Sequence, residues 1–182
     1  MRIITRNSHE PRAKRALPVC ALSVAALSLG LASPAMASPA VHFSGKYSGN
    51  ASLLIDNGAV AIKSVTGKGT GTLVGASTIV GHGTASASAQ CDPFTGTGSI
   101  TGPGAKISLS VAKSSSSGCS SGESGPVTVT FTGVAVATGG SGKASGAKGS
   151  LKFRGTLKLG GTSGSQDGHY TVSLIGDLTV KS

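Results

Sequence analysis

The chain has 182 residues, with 16 basic and 6 acidic side chains for a formal charge of +10, a length that suits one domain of ordinary size with a proper core. Gly, Ser and Thr dominate, but disorder goes with few β-branched residues, and here Val, Ile, Leu and Thr are plentiful and placed with a period, so a disordered chain is excluded. Trp is absent and aromatic residues are 3% of the chain, which leaves no supply of stacking platforms for nucleic acid.

Residues 1–37 read as a secretory signal peptide. Arg2, Arg6, Arg12, Lys14 and Arg15 form a basic start, and an uncharged apolar stretch runs from Ala16 to Ala32. Pro34-Ala35-Met36-Ala37 then supplies the small-x-small pattern that a signal peptidase accepts. A transmembrane anchor is the competing reading, but 17 residues lie at the short limit for crossing the bilayer, and Gly30 and Pro34 weaken the end of the run. The expectation is therefore a secreted protein, extracellular or periplasmic, comprising residues 38–182 and without a stable membrane span after cleavage. Setting aside the five basic residues of the leader and Glu10 leaves eleven basic and five acidic residues, or +6 over 145 residues. Three cysteines become two, and Cys91 and Cys119 in an oxidising compartment predict one disulfide.

Beyond the leader the period is two. Val41, Phe43, Gly45 and Tyr47 alternate with polar residues, as strands with one buried face do. Asn57-Gly58 is a strong hairpin signal, because both central residues of a type I′ turn need positive φ. A two-residue turn there pairs Ile55 with Val60 and Leu53 with Ile62, all on one face. Gly102-Pro103-Gly104 leads into a strand carrying Ile107 and Leu109, and Ser114–Gly125 reads as a Ser/Gly loop. In Val127–Phe131 the apolar positions are odd, yet Val134 and Val136 are even. That flip predicts a β-bulge at Gly133. Leu151, Phe153, Gly155, Leu157 and Leu159 alternate with Lys152, Arg154, Thr156 and Lys158. The last strand presents Tyr170, Val172, Leu174, Gly176, Leu178 and Val180.

No window sustains a helical period. The prediction is an all-β domain, a single antiparallel β-barrel of about 8–10 strands, with a β-sandwich as runner-up. Glycine inside strands favours the strong bending of a barrel. The inward parity collects Val41, Phe43, Tyr47, Leu53, Ile55, Val60, Ile62, Ile107, Leu109, Phe153, Leu157, Tyr170, Val172 and Leu174 as the expected lining of an interior cavity.

Catalytic sets are not evident. Gly118-Cys119-Ser120-Ser121-Gly122 fits the G-x-S-x-G nucleophile elbow, but that motif needs a strand before it and a helix after it, and no helix signal follows. His42, His82 and His169 fall on polar positions. Asp167 is placed to orient His169, although a solvated turn pair is the plainer reading. The acids are scattered, and the inward parity holds no ionisable group except Tyr47 and Tyr170. No cofactor, metal set or nucleic-acid partner is expected. Lys148, Lys152, Arg154 and Lys158 share one parity and form an outward stripe suited to an anionic cell-envelope polymer. The plainer alternative is a solvated face whose lysines discourage edge-to-edge pairing.

Gly139-Gly140-Ser141-Gly142-Lys143-Ala144-Ser145-Gly146-Ala147-Lys148-Gly149 is similar to the G-G-T-G-x-F-x-x-A-x-G stretch of dirigent and allene-oxide-cyclase-like proteins, a pattern also widespread in secreted bacterial proteins. Ser141 replaces the usual Thr and Ala144 the usual Phe. The resemblance implies an eight-stranded antiparallel barrel, often trimeric, around an apolar cavity that steers coupling or cyclisation of a hydrophobic intermediate without a cofactor. The leading functional expectation is an exported, non-enzymatic barrel that binds a hydrophobic small molecule or serves a structural role outside the cell. A cofactor-free isomerase or cyclase, and adhesion through the basic stripe, are the alternatives.

Overall fold

Asn57 and Gly58 adopt positive φ of 48° and 76°, the pair of left-handed residues that a type I′ turn requires. The turn sets Leu53 opposite Ile62 and Ile55 opposite Val60, as the sequence predicts. The computed structural model describes residues 40–122 and 124–181, and the expected leader, 1–37, lies outside the described residues. The strands are β1 (Ala40–Asp56), β2 (Ala59–Gly71), β3 (Gly75–Ser86), β4 (Cys91–Asp92), β5 (Phe94–Gly102), β6 (Ala105–Ser120), β7 (Val127–Gly142), β8 (Lys148–Leu159) and β9 (Gly164–Thr179).

Eight of these strands close an antiparallel up-and-down barrel in the order β1-β2-β3-β5-β6-β7-β8-β9, completed by pairing of β1 with β9. The two-residue strand β4 is an excursion paired only with the end of β6. One continuous closed sheet rules out the sandwich. Apolar residues point in and polar residues out, the reverse of a barrel that faces lipid.

Two local expectations are corrected. Ser114–Ser120 belongs to β6 and is not loop. Between Val111 and Ser116 the register of β6 against β7 shifts, so the extra residues sit on β6. Serine hydroxyls serve the backbone groups that this bulge frees. Ser115 Oγ donates to the carbonyls of Ala112 (3.1 Å) and Val134 (3.2 Å), and Ser116 Oγ accepts the Phe94 N–H at 3.1 Å. Gly133 carries no bulge, since β7 runs in unbroken register with β8 from Val127 to Ala137. The small residues Ala135 and Ala137 are buried while Val136 is exposed. The inward parity of β7 is odd from Val127 to Ala137, and a register shift past Thr138 then sets Gly140 and Gly142 opposite the buried Ile107 and Ala105.

Antiparallel order places three turns at one end of the barrel, at Thr72–Val74, Pro103-Gly104 and Lys143–Ala147, and this end is filled. Phe43, Ile107, Leu151 and Leu178 have no exposed surface. The Gly-rich segment from Gly139 to Gly149 forms the plug. Its Ala144 and Ala147 are fully buried, Lys143 N–H donates to Gly104 O (2.9 Å), and Lys181 N–H to Ser145 O (2.8 Å).

Aromatic rings fit this narrow interior because the facing position has no side chain. Phe43 lies opposite Gly176, Tyr47 opposite Gly69, and Tyr170 opposite Gly49. Phe131 lies opposite Gly155, and Phe153 opposite Gly133. A Cβ on Gly69 would stand 2.7 Å from the Tyr47 ring, and one on Gly133 would stand 2.6 Å from the Phe153 ring. A Cβ on Gly155 would overlap both the Phe131 ring and the Thr171 carbonyl. Covering a strand glycine with a cross-strand ring is a recurrent device in curved sheets. We predict that Gly133→Ala and Gly155→Ala each destabilise the fold by about 1–3 kcal/mol through overpacking. Gly160→Ala, with nothing nearer than 3.7 Å, should change stability by less than about 0.5 kcal/mol. Urea unfolding of the three variants checks both statements.

Candidate ligand-binding cavity

The other end of the barrel is hollow. A cavity of about 880 Å³ opens between the ends of β1, β2, β3, β5, β6, β7, β8 and β9, within the range of sites for small molecules. Its wall is apolar: Leu53, Ile55, Val60, Ile62, Val65, Phe94, Val129, Phe131 and Leu157. Phe94 and Phe131 also lean on Phe153, with ring centroids 5.9 and 6.3 Å apart. This three-ring cluster marks the boundary with the filled half.

Of the residues expected to line a cavity, Leu53, Ile55, Val60, Ile62, Leu157 and Tyr170 do so. Val41, Phe43, Tyr47, Ile107, Leu109, Phe153, Val172 and Leu174 do not, and pack instead as the core. The reason is depth. Parity says that a side chain points inward, but it does not say whether that level is filled by its neighbours. Val65, Ala85, Phe94, Val127, Val129, Phe131 and Leu159 join the lining, and the odd parity of Val127, Val129 and Phe131 was the available signal for three of them.

The rim is polar and is built from Ser86–Gln90, Ser120–Gly122 and Gly161-Thr162. Cys91 and Cys119 stand directly opposite each other and form a disulfide, with Cα atoms 4.0 Å apart. The bond ties the excursion Ala87–Asp92 to the end of β6. Asp92 braces the same segment, its carboxylate accepting the N–H groups of Ala89 (2.8 Å) and Ser88 (2.9 Å) and the Ser88 hydroxyl (3.0 Å). The backbone bond from Ala89 leads in holding this carboxyl below the usual range. Ser120 ends β6 at the rim, where its N–H donates to Gln90 O at 2.8 Å. The next described residues form turn and strand, so the helix that a nucleophile elbow needs is not there. His169 does not pair with Asp167, which accepts the Ser52 hydroxyl, and its Nδ1 lies 3.5 Å from Asn50 Oδ1. His42 instead pairs with Asp177 at 2.9 Å on the outer surface, a contact across 135 residues of sequence.

The two tyrosines differ. Tyr47 Oη bonds Ser77 Oγ at 3.0 Å, and Ser77 Oγ donates to Gly75 O. Tyr170, on the cavity wall and 4% exposed, tucks its Oη against Gly67 with no hydrogen-bond partner. Burial pushes the Tyr170 phenol up to about 12, and it raises Tyr47 as well, partly offset by the bond to Ser77.

Lys148, Lys152, Arg154 and Lys158 are all exposed on the outward face of β8, as expected. No family model, curated protein or solved structure matches the chain.

Two predictions follow from the tyrosines and the disulfide. The folded state keeps a proton on Tyr170 that the unfolded chain releases near pH 10, so stability present below pH 10 is lost as pH rises toward about 12. With only two tyrosines and no Trp, the near-ultraviolet phenolate absorbance should appear above pH 10, and Tyr170→Phe should remove its highest-pH part. The Cys91→Ala/Cys119→Ala variant should lose about 3–4 kcal/mol. Its hydrogen exchange should accelerate at 87–92 while the Lys143–Ala147 plug stays protected.

Proposed function

We propose that this protein is an exported binding protein that holds an apolar small molecule in the hollow half of its barrel. The observation that carries the reading is the contrast between the two halves. A barrel selected for stability alone would gain by filling this end as it fills the other, since apolar wall left in contact with water forgoes about 25 cal/mol per Å² of burial, yet an apolar-walled cavity of about 880 Å³ stands open. Release of poorly held water from such a wall favours an apolar guest. The polar rim and the disulfide that braces it suit a protein working outside the reducing cytosol, in agreement with the leader expected over residues 1–37.

The similarity of the Gly139–Gly149 segment to dirigent and allene-oxide-cyclase-like proteins is compatible with this reading and extends it to a cofactor-free isomerase or cyclase. Among the described residues, the ionisable groups that line this cavity are Tyr170 and Asp92. A phenol held near 12 and a carboxyl held below its ordinary range are both poorly matched to proton transfer near neutral pH. Binding is the better supported function.

The test is a titration with N-phenylnaphthylamine, an uncharged apolar dye whose emission rises in a dry site. The protein should enhance the emission saturably at one dye per chain. Ala85→Phe, which pushes a ring into the cavity mouth, should weaken binding by at least about tenfold, equivalent to 1.4 kcal/mol, while Val136→Ser on the outer wall leaves it unchanged. Absence of saturable enhancement, or equal binding by Ala85→Phe in a variant that still melts cooperatively, would overturn the proposal.

A further inference from the structure

The basic residues of β8 do not stand alone. Strand register sets Arg154 beside Ser173 of β9, Ser173 beside Lys46 of β1, and Lys46 beside Thr70 of β2. In the adjoining outward row Thr171 neighbours Ser48, and Ser48 neighbours Lys68. Backbones two strands apart are separated by about 10 Å, within reach of long side chains that lean together. Lys46, Lys68 and Arg154 thus converge on a shallow groove of about 400 Å³ whose floor is Ser48, Thr70, Thr171 and Ser173. Lys152 and Lys158 flank it in the next rows of β8.

The charge balance of this face is one-sided. The nearest outward carboxylates on β9 are Asp177 and Asp167, above and below it, and each is engaged elsewhere, with His42 and with Ser52. Among the described residues His42–Asp177 is the one side-chain ion pair, so Lys46, Lys68 and Arg154 have no carboxylate partner. Nor do these lysines guard a sheet edge, the usual reason for lysine on an outer strand. β1, β2, β8 and β9 are each paired on both sides within a closed barrel.

We infer that the outer wall of β2-β1-β9-β8 is a docking face for a linear phosphate-bearing polymer, a polyol-phosphate chain of the cell exterior being the occupant it fits. One guanidinium and two ammonium groups supply charge at intervals along the groove, and four hydroxyls supply hydrogen bonds to phosphate oxygens and to polyol hydroxyls. Tyr47, the one aromatic residue among those bordering the groove, is buried in the core, so no exposed ring offers the stacking that single-stranded nucleic acid uses. This site is independent of the cavity, which opens at the end of the barrel.

The test compares two variants of equal charge in the whole secreted protein. Lys46→Ser/Lys68→Ser/Arg154→Ser empties the face. Lys106→Ser/Lys113→Ser/Lys143→Ser removes three exposed lysines from β6 and the turn after β7; β6 is the strand diametrically opposite β1 in the ring. Binding to poly(glycerol phosphate) is measured against salt, beside single-stranded oligonucleotide and phosphatidylglycerol vesicles. The unaltered protein and the β6-side variant should bind the polymer with a log–log salt slope of roughly −2, as about three neutralised phosphates give. The face variant should lose at least about tenfold in affinity and most of that slope. Equal losses in both variants would reduce the effect to net charge and overturn the inference. So would a preference for oligonucleotide or vesicles over the polymer, or a face variant that binds as well as the unaltered protein.

Discussion

The fold depends on rings placed over bare backbone. An eight-stranded barrel encloses just enough space for side chains, and a ring entering it needs a vacancy on the strand it meets. Tyr47, Phe131 and Phe153 find that vacancy at a directly paired glycine, while the Phe43 ring lies against Gly71 and the Tyr170 hydroxyl against Gly67. Phe94 is the exception, paired with Ala85 at the mouth, where the barrel is no longer filled. The glycine-rich composition is therefore a packing solution. It lets a chain with six aromatic residues and no Trp close a barrel whose interior is dry on one side and open on the other.

That arrangement sorts the interior by depth. Toward the Lys143–Ala147 end, rings, branched side chains and the buried alanines of the plug fill the lumen. Toward the β1–β2 hairpin, most inward residues are short aliphatics, and with Phe94, Phe131 and Tyr170 confined to the wall a cavity remains. The rim above it is held by a disulfide and by the braced carboxylate of Asp92, which fixes the mouth without obstructing it. The outer wall repeats the principle in polar form. Short hydroxyl residues between long cations leave a groove where side chains of equal length would have left a flat surface.

Much of this was legible in the sequence. Alternation identified the strands, and Asn57-Gly58 set the register of β1 and β2 from the turn out to Leu53 and Ile62, beyond which a bulge shifts it by one residue. The cysteine pair was also readable. Three things were not. Depth within the barrel depends on which side chains meet across the lumen, and no local pattern carries that, so eight inward residues expected on the cavity wall belong to the core. The inward parity of β7 was hidden because its buried residues, Ala135 and Ala137, are less hydrophobic than its exposed Val136. The clustering of Lys46 and Lys68 with Arg154, and of His42 with Asp177, comes from strands distant in sequence and exists only once the ring closes.

The central claim is that the barrel is hollow at one end only. Methyl NMR under xenon pressure tests it most directly, because xenon enters dry apolar cavities without needing a matched ligand. The methyl signals of Leu53, Ile55, Val60, Ile62 and Leu157 should shift saturably with xenon, while those of Ile107, Leu109, Leu151, Leu174 and Leu178 stay in place. Equal shifts in both sets, or none in either, would contradict it.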